Sequence, residues 1–456
     1  MDYATACFLR LENTKMQMTS EQAAAHDQIV AAFRPGGTYL LTGYAGTGKT
    51  SLLRILTHTF AGMKGERGKP LKVAVTAPTH KAVAVLAQKV NDDEFKVPCR
   101  TIHSLLSLKP KPVRDALKFE RLKKAEPITA DVVVIDESSM LGLDLMNHIE
   151  RELQNCFVLL VGDRAQLPPV NERESRAFAT SASSNLATVI RQAEDNPILE
   201  AAIKLRQSQD RGVTDWSWLT ARNDKNKGVF VPASDPDEWL RRAFTSDAFQ
   251  ADKNAFRYLC WTNARVAEIN RRVRRHIFGR DPDMPFMPGE LALIKAPVFR
   301  DGAPVFQTNQ EAEVVTIEPS VTSFQCAESS YDGVFKCWKV SNIPSWKVTL
   351  KDGDLKCDVH APRDMDVYNE IVQRLKDEAK EFPLRWKDFH AFRESMAELQ
   401  PIYALTTHNS QGSTLTNVFV DVADIRKRGK DNMLEMQQLF YVAVTRPTTK
   451  LILLNR

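Results

Sequence analysis

The chain has 456 residues, 43% of them hydrophobic and 26% charged, and carries a net charge of +5 at neutral pH. That length exceeds one comfortable core, so several domains are expected, and no run approaches the roughly 18 uninterrupted apolar residues of a membrane helix. The stretch Met1–Cys7 lacks the basic start and apolar core of a signal peptide, which reads as a cytoplasmic protein, and seven scattered cysteines without a C-x2-C pair read as reduced thiols rather than a zinc site or disulfide framework.

The first informative element is the β-rich run Thr38–Thr42, followed by Gly43-x4-Gly48-Lys49-Thr50 and then by Ser51–Leu56, apolar at helical spacing. Strand, glycine-rich loop and helix in this order form a P-loop. Backbone N–H groups along Gly43, Ala45, Gly46, Thr47, Gly48 and Ser51 surround phosphate oxygens, Lys49 reaches the β- and γ-phosphates, and the Thr50 hydroxyl holds Mg²⁺. The helix N-terminus adds its dipole to the same anion. An ordinary strand–helix turn would not require Lys49 and Thr50, so ATP with Mg²⁺ is the expected ligand.

Between Lys109 and Lys124 seven basic residues face two acids, and a second cluster, Arg271–Arg275, falls on an expected helix. Each run alone reads as the solvated face of a helix; beside a nucleotide site, an anionic polymer becomes a candidate partner. Between the two clusters, Val132–Ile135 has the continuous β-branched pattern of a strand buried on both faces. It delivers Asp136 and Glu137 to the strand's C-terminal end, where open α/β sheets bind ligands. Asp136 is expected to hold Mg²⁺ and Glu137 to orient and deprotonate the attacking water.

A further apolar strand, Cys156–Val161, ends in the polar turn that carries Gln166, a candidate sensor of the γ-phosphate. Phosphoryl transfer also requires cations from outside the P-loop domain. Arg191 and Arg446 both flank apolar segments, although patterning alone leaves each as a solvated side chain. From about 286 to 400 the helix–strand alternation breaks into short β-like runs (Leu291–Ile294, Val314–Ile317, Trp338–Val340 and Trp346–Leu350), followed by a charged helical stretch from Asp364 to Leu399.

Eight motifs then stand in a telling order: GYAGTGKT (43–50), TAPTHKAV (76–83), RTIHS (100–104), VIDESSM (134–140), GDRAQLPPV (162–170), VIRQ (189–192), TTHNSQGST (406–414) and YVAVTR (441–446). From Gln22 to Arg446 the chain resembles the superfamily-one helicases, in particular the 5′→3′ branch of Dda-like and RecD-like enzymes. The Pif-type enzymes resemble it too and share the chemistry. The resemblance implies an α/β fold of two RecA-like P-loop NTPase lobes with ATP between them and single-stranded DNA across their top. It implies lobe 1A over 1–98 and 129–186, a small pin subdomain over 99–128, lobe 2A over 187–285 and 401–456, and an SH3-like β-barrel with a helical extension over 286–400.

By the same resemblance, Gln22 reads the adenine, and Arg191 and Arg446 are arginine fingers of the second lobe. Pro78, Thr79, His80, His103, Thr262, Asn263, Thr406, His408 and Ser410 face DNA. Phe119, at the end of a segment of matching length, is the strand-separating pin, with a core phenylalanine of a short hairpin as the alternative. The implied activity is ATP-dependent 5′→3′ translocation and fork unwinding by a monomer, with single-strand-binding, replication or recombination proteins as further partners. A rival from another class is an ATP-gated DNA-binding switch that does not unwind. Asn409 departs from the lysine frequent at its position in relatives, and residues 1–17 have no counterpart.

Overall fold

The computed structural model describes residues 18–65, 68–113, 116–188, 197–210, 212, 216, 218–224, 227–233, 235–300, 303–326 and 339–454. Two six-stranded sheets organise the chain. The first runs, in spatial order, Cys99–Thr101, Val73–Ala77, Val132–Ile135, Phe157–Gly162, Thr38–Gly43 and Ser183–Leu186, with every pairing parallel. Its four central strands are mostly apolar on both sides because helices cover both faces. Alternation sends Val132, Val134, Leu159 and Val161 into one core and Val133, Ile135, Val158 and Leu160 into the other.

The second sheet runs Ala404–Thr406, Phe256–Cys260, Leu415–Asp421, Pro447–Leu454, Lys227–Phe230 and Arg222–Asp224, parallel except for the last pair. It too separates two cores, Leu259, Val418, Val420 and Leu451 from Tyr258, Phe419, Ile452 and Leu454. Ala165 and Leu167, at the end of a first-sheet strand, are buried in the second sheet's core beside the helices Pro197–Asp210 and Met433–Val444. The two halves therefore share apolar surface next to the P-loop.

Two insertions depart from this plan. Leu108–Val113 and Ala116–Arg121 form an antiparallel hairpin in which Pro110 faces Phe119. Cys99–Thr101, expected with that insertion, is instead the edge strand of the first sheet. In the second half, Leu355–Pro362, Lys339–Asp352, Glu311–Gln325, Leu291–Ile294 and Leu399–Pro401 make a five-stranded sheet. Leu291–Ile294 is a strand as read, while Val314–Ile317, Lys339–Val340 and Trp346–Leu350 are parts of two long strands of 15 and 14 residues, paired as an antiparallel ribbon; Trp338 lies outside the described residues. Pro319 and Pro344 sit within the ribbon, and a proline argues against an uninterrupted strand, which is why the pattern broke into pieces.

Helices Met365–Glu381 and Trp386–Ser395 pack Tyr368, Ile371, Leu375, Phe389 and Phe392 against Ile343 and Phe324 of the ribbon. The second of these helices also approaches the Leu108–Val113 strand of the hairpin. Among the described residues no helix is long and apolar enough to cross a membrane. Cys156, Cys260, Cys326 and Cys357 are buried and Cys99 is half-buried, none of them in a disulfide; Cys7 and Cys337 lie outside the described residues.

Candidate functional site

The P-loop turns on two left-handed residues, Gly46 at φ 82° and Gly48 at φ 76°, where a side chain would be strained. The helix Lys49–Gly62 starts at once from Gly48, so the loop's amides and the helix N-terminus face one point. That point opens into a cavity of about 880 Å³ lined by Ala45, Gly46, Gly48, Lys49, Thr50 and Ser51. Gly43 and Thr47 do not line it; both are buried, and the Thr47 hydroxyl donates to Tyr44 O at 2.9 Å, shaping the loop from behind. Lys49 Nζ lies against the carbonyls of Gly43 and Tyr44 at 2.6 and 2.9 Å, a cation ready to exchange carbonyl partners for phosphate.

Gln22 is 4% exposed, and its amide is already engaged. It closes a capping box with Thr19, and its Nε2 donates to the Thr47 carbonyl at 3.2 Å and the Gly48 carbonyl at 3.4 Å. It braces the loop and does not line the cavity.

Asp136 and Glu137 enter the cavity from the end of Val132–Ile135, with Glu137 held at a left-handed φ of 53°. Burial raises the Asp136 pKa against the pull of the Glu137 N–H, Lys49 and Lys89. Glu137 is pushed up to about 7, first by burial and then by Asp136, while Arg446 and Lys49 oppose the rise. Two half-buried acids that line the cavity together with Thr50 are hard oxygen donors that a divalent cation would return to the charged form, so these residues fit Mg²⁺. Among the described residues no cluster of three or more His, Cys, Asp or Glu is spaced to hold a metal. Asp136 and Thr50 would thus share the ion with nucleotide oxygens and water.

The opposite wall comes from the second half of the chain: Gly412, Ser413, Thr414, Thr445 and Arg446 line the same cavity. Arg446 is 7% exposed, and its guanidinium donates to Val442 O, Ser413 O and Thr445 Oγ1 at 3.1, 3.1 and 3.0 Å. Arg191 lies outside the described residues. Gln166 lines the cavity, and its Oε1 accepts from Gln411 Nε2 at 3.3 Å. Gln411 also donates to Ser139 Oγ and Leu167 O at 3.2 and 3.4 Å, so one side chain of the second half touches two loops of the first.

Tyr441 makes a similar crossing, to Asp163 and Ala45. Neither Gln411 nor Tyr441 carries a sequence signal beyond lying inside a motif.

The remaining candidates gather at strand ends. The register Ala77↔Thr101 sets Thr79 and His80 beside His103, and Cys260↔Thr406 sets Thr262 and Asn263 beside Thr406 and His408. His80 and Asn263 are exposed, and Pro78, Thr79, His103 and His408 are half-buried. Burial lowers the pKa of His80 and of His103, and the neighbouring His80 and His148 lower that of His103 further, so the His80 and His103 rings are neutral near pH 7.

Four positions differ from the expectation of a DNA-facing side chain. Ser410 is fully buried and its hydroxyl donates to Thr407 O. Thr406 is buried and accepts from the Asn409 N–H. Thr79 and Thr262 are N-caps of the helices they precede, and the Thr262 hydroxyl also meets Asp424. These threonines shape the rim, while His80, Asn263 and His408 are its accessible groups.

Phe119 is 44% exposed on the hairpin, its ring 4.6 Å from that of His103 and its carbonyl 3.1 Å from His148 Nε2. This removes the core-phenylalanine alternative. Lys109, Lys111, Lys118, Lys123 and Lys124 around it are exposed. The second basic cluster is largely neutralised: Arg272 pairs with Glu268 and Asp237, Arg274 is buried on Glu290 and Arg275 pairs with Asp281. Lys81, next to His80, pairs with Glu311 of the five-stranded sheet at 2.7 Å, and Glu311 also meets buried Arg257 of the second sheet at 3.2 Å. Three parts of the fold meet at one carboxylate.

Comparison with known proteins agrees with this layout. Residues 17–224 match the model of an AAA domain and residues 401–454 that of a UvrD-like helicase C-terminal domain. The ATP-dependent DNA helicase dda of Enterobacteria phage T4 is 23% identical over 456 residues, covering 94% of this chain and 97% of its own. The RecD subunit of the RecBCD enzyme of Mycolicibacterium smegmatis is 28% identical over 217 residues, 45% of this chain and 37% of its own. A crystal structure of Pif1 helicase from Bacteroides with ADP-AlF3 and ssDNA covers 95% of this chain and 92% of that one, at 15% identity and a TM-score of 0.48. With both family models matched and the likeness to dda running along nearly the whole chain, this chain is similar to the superfamily-one helicases over most of its length.

Proposed function

We propose that this chain is an ATP-dependent DNA helicase that moves 5′→3′ along single-stranded DNA and opens duplex at forks. The observation that carries the proposal is the shared cavity: P-loop and acid pair on one wall, Gly412–Thr414 and Arg446 on the other. A nucleotide bound there touches both sheets, so its arrival and cleavage bear directly on their separation. One chain supplies both walls, and a monomer suffices.

Lys49 draws the terminal phosphates into the loop, and Glu137, once ionised, orients the attacking water and accepts its proton. Arg446 opposes the charge that spreads over the transferred group. Thr50 and Asp136 would hold Mg²⁺, which would supply Lewis-acid neutralisation of the phosphate oxygens. Gln166 meets the γ-phosphate end and, through Gln411, passes its presence to the second sheet.

Single-stranded DNA runs across the strand ends, over His80 and His103 on the first sheet and Asn263 and His408 on the second. Contacts with phosphates and stacked bases make movement indifferent to sequence and sensitive to salt. The two sheets are the cores of RecA-like lobes, residues 286–400 an SH3-like accessory insertion and the Leu108–Arg121 hairpin the pin. Melting one base-pair step costs about 1.4 kcal/mol, well within what ATP hydrolysis supplies, so coupling between lobes limits the motor.

Phe119 is the wedge. In the wild type, single-stranded DNA stimulates ATP turnover and tailed duplexes are opened. Phe119→Ala keeps the stimulated turnover and translocation but lowers unwinding about tenfold, because one base–aromatic contact is lost at the junction. Equal losses in translocation and unwinding would make Phe119 a structural residue, and ATP turnover indifferent to DNA would overturn the motor itself.

A further inference from the structure

Behind the cavity wall, one buried hydroxyl does something that no assigned role requires. Tyr441, on the second-half helix Met433–Val444, is 1% exposed, and its Oη accepts from the Ala45 N–H at 3.1 Å while donating to Asp163 Oδ2 at 2.8 Å. Ala45 belongs to the P-loop, whose amides serve the phosphates. Asp163 ends the strand next to it, and its other oxygen is taken by the Ala165 N–H at 2.9 Å. A single side chain of the second lobe therefore holds both the P-loop backbone and a buried carboxylate of the first.

The surroundings make the contact specific to one arrangement of the lobes. Helix Pro197–Asp210 covers the same loop from the side: the Leu199 side chain sits where a Cβ on Gly46 would be, 2.7 Å away, and the Arg206 guanidinium lies 5.1 Å over the Tyr44 ring. The loop is thus enclosed by two helices of the second half. If the lobes part, the Tyr441 hydroxyl leaves, and the Ala45 amide and Asp163 Oδ2 lose the partner that satisfies them. Water takes over those groups in the open cleft, so each bond contributes only its modest net hydrogen-bond energy to closure.

We propose that Tyr441 is an inter-lobe latch, a positioning residue whose hydroxyl ties cleft closure to the conformation of the P-loop and so sets how readily the free enzyme accepts ATP. This rests on the reading of the cavity as an ATP site. Loss of the hydroxyl leaves the ring in its apolar seat and removes only the two hydrogen bonds. The closed arrangement becomes harder to reach from the free enzyme, while saturating ATP and DNA enforce it.

Tyr441→Phe tests this in the full-length protein. Amide exchange at Ala45, read without nucleotide, and the KM for ATP should each rise about tenfold, as loss of a hydrogen bond to a charged group implies. The kcat at saturating ATP and DNA should stay within about twofold, because the loss falls on the ground state. Asp163→Asn, which keeps an oxygen for the Ala165 N–H, should add little on top of Tyr441→Phe.

Unchanged exchange at Ala45 together with an unchanged KM would overturn the latch. So would faster exchange spread to the strand Lys339–Asp352, which shares no core with Tyr441, with kcat and KM impaired together, since that marks a general loss of packing. The exchange measurement needs no ATP chemistry. A wild type that hydrolyses no ATP would sink the ATP-site reading, whereas an unresponsive Tyr441→Phe in a DNA-stimulated ATPase would sink the latch alone.

Discussion

Glu137→Gln lowers DNA-stimulated ATP turnover by about a thousandfold while the variant still binds ATP, because the amide keeps the shape of the side chain but cannot take a proton. The pH profile carries the same assignment. The Glu137 pKa is raised to about 7 by burial and by neighbouring Asp136, so in the free enzyme it is largely protonated below that pH and ionised above it. Since kcat/KM reports the free enzyme, the wild type should show an acid limb, activity falling as pH drops through about 7. Glu137→Gln should lose that limb along with its activity. Steady-state ATPase assays across pH 5.5–8.5 (about three units, enough to span one titration) check both, and a variant with normal turnover would remove Glu137 from the chemistry.

Arg446→Ala has the second large effect, a drop in kcat of about a thousandfold with KM for ATP changed only a few-fold, as expected for a cation that acts on transition-state charge. The guanidinium also serves Val442 O, Ser413 O and Thr445 Oγ1, so Arg446→Lys is the useful companion. It keeps a charge but not the planar fork, and its kcat should fall between those of wild type and Arg446→Ala. Single-turnover measurements separate this from slow nucleotide exchange. If kcat were retained and only KM rose, Arg446 would be a binding residue and the second wall would not take part in hydrolysis.

The parts of the molecule legible in the sequence are those whose physics is local. Val132–Ile135 announces a buried parallel strand because four β-branched apolar residues in a row suit only a sheet covered on both faces. The P-loop is legible because the geometry of phosphate binding fixes spacing within eight residues. Asp136 and Glu137 follow from their place at a strand end.

What stayed hidden depends on contacts that no local pattern encodes. Gln411 reaches Ser139, Gln166 and Leu167 across 244–272 positions of sequence, and Lys81 reaches Glu311 across 230. The ribbon Glu311–Gln325 with Lys339–Asp352 looked like fragments because its outer stretch is half-exposed and carries Pro319 and Pro344. Ser410 shows the opposite failure. Its motif points to DNA, yet tight turn geometry spends its hydroxyl on Thr407 O. Arg274 likewise looked like part of a basic face and is consumed by Glu290 in the interior.

Strand displacement on matched duplexes, one with only a 5′ single-stranded tail and one with only a 3′ tail, tests the central claim most directly. The protein should release the short strand from the 5′-tailed substrate when ATP and Mg²⁺ are both present, and leave the 3′-tailed one intact. Hydrolysis of ATP on both substrates with neither opened would contradict it, leaving a nucleotide-gated DNA binder in place of a motor.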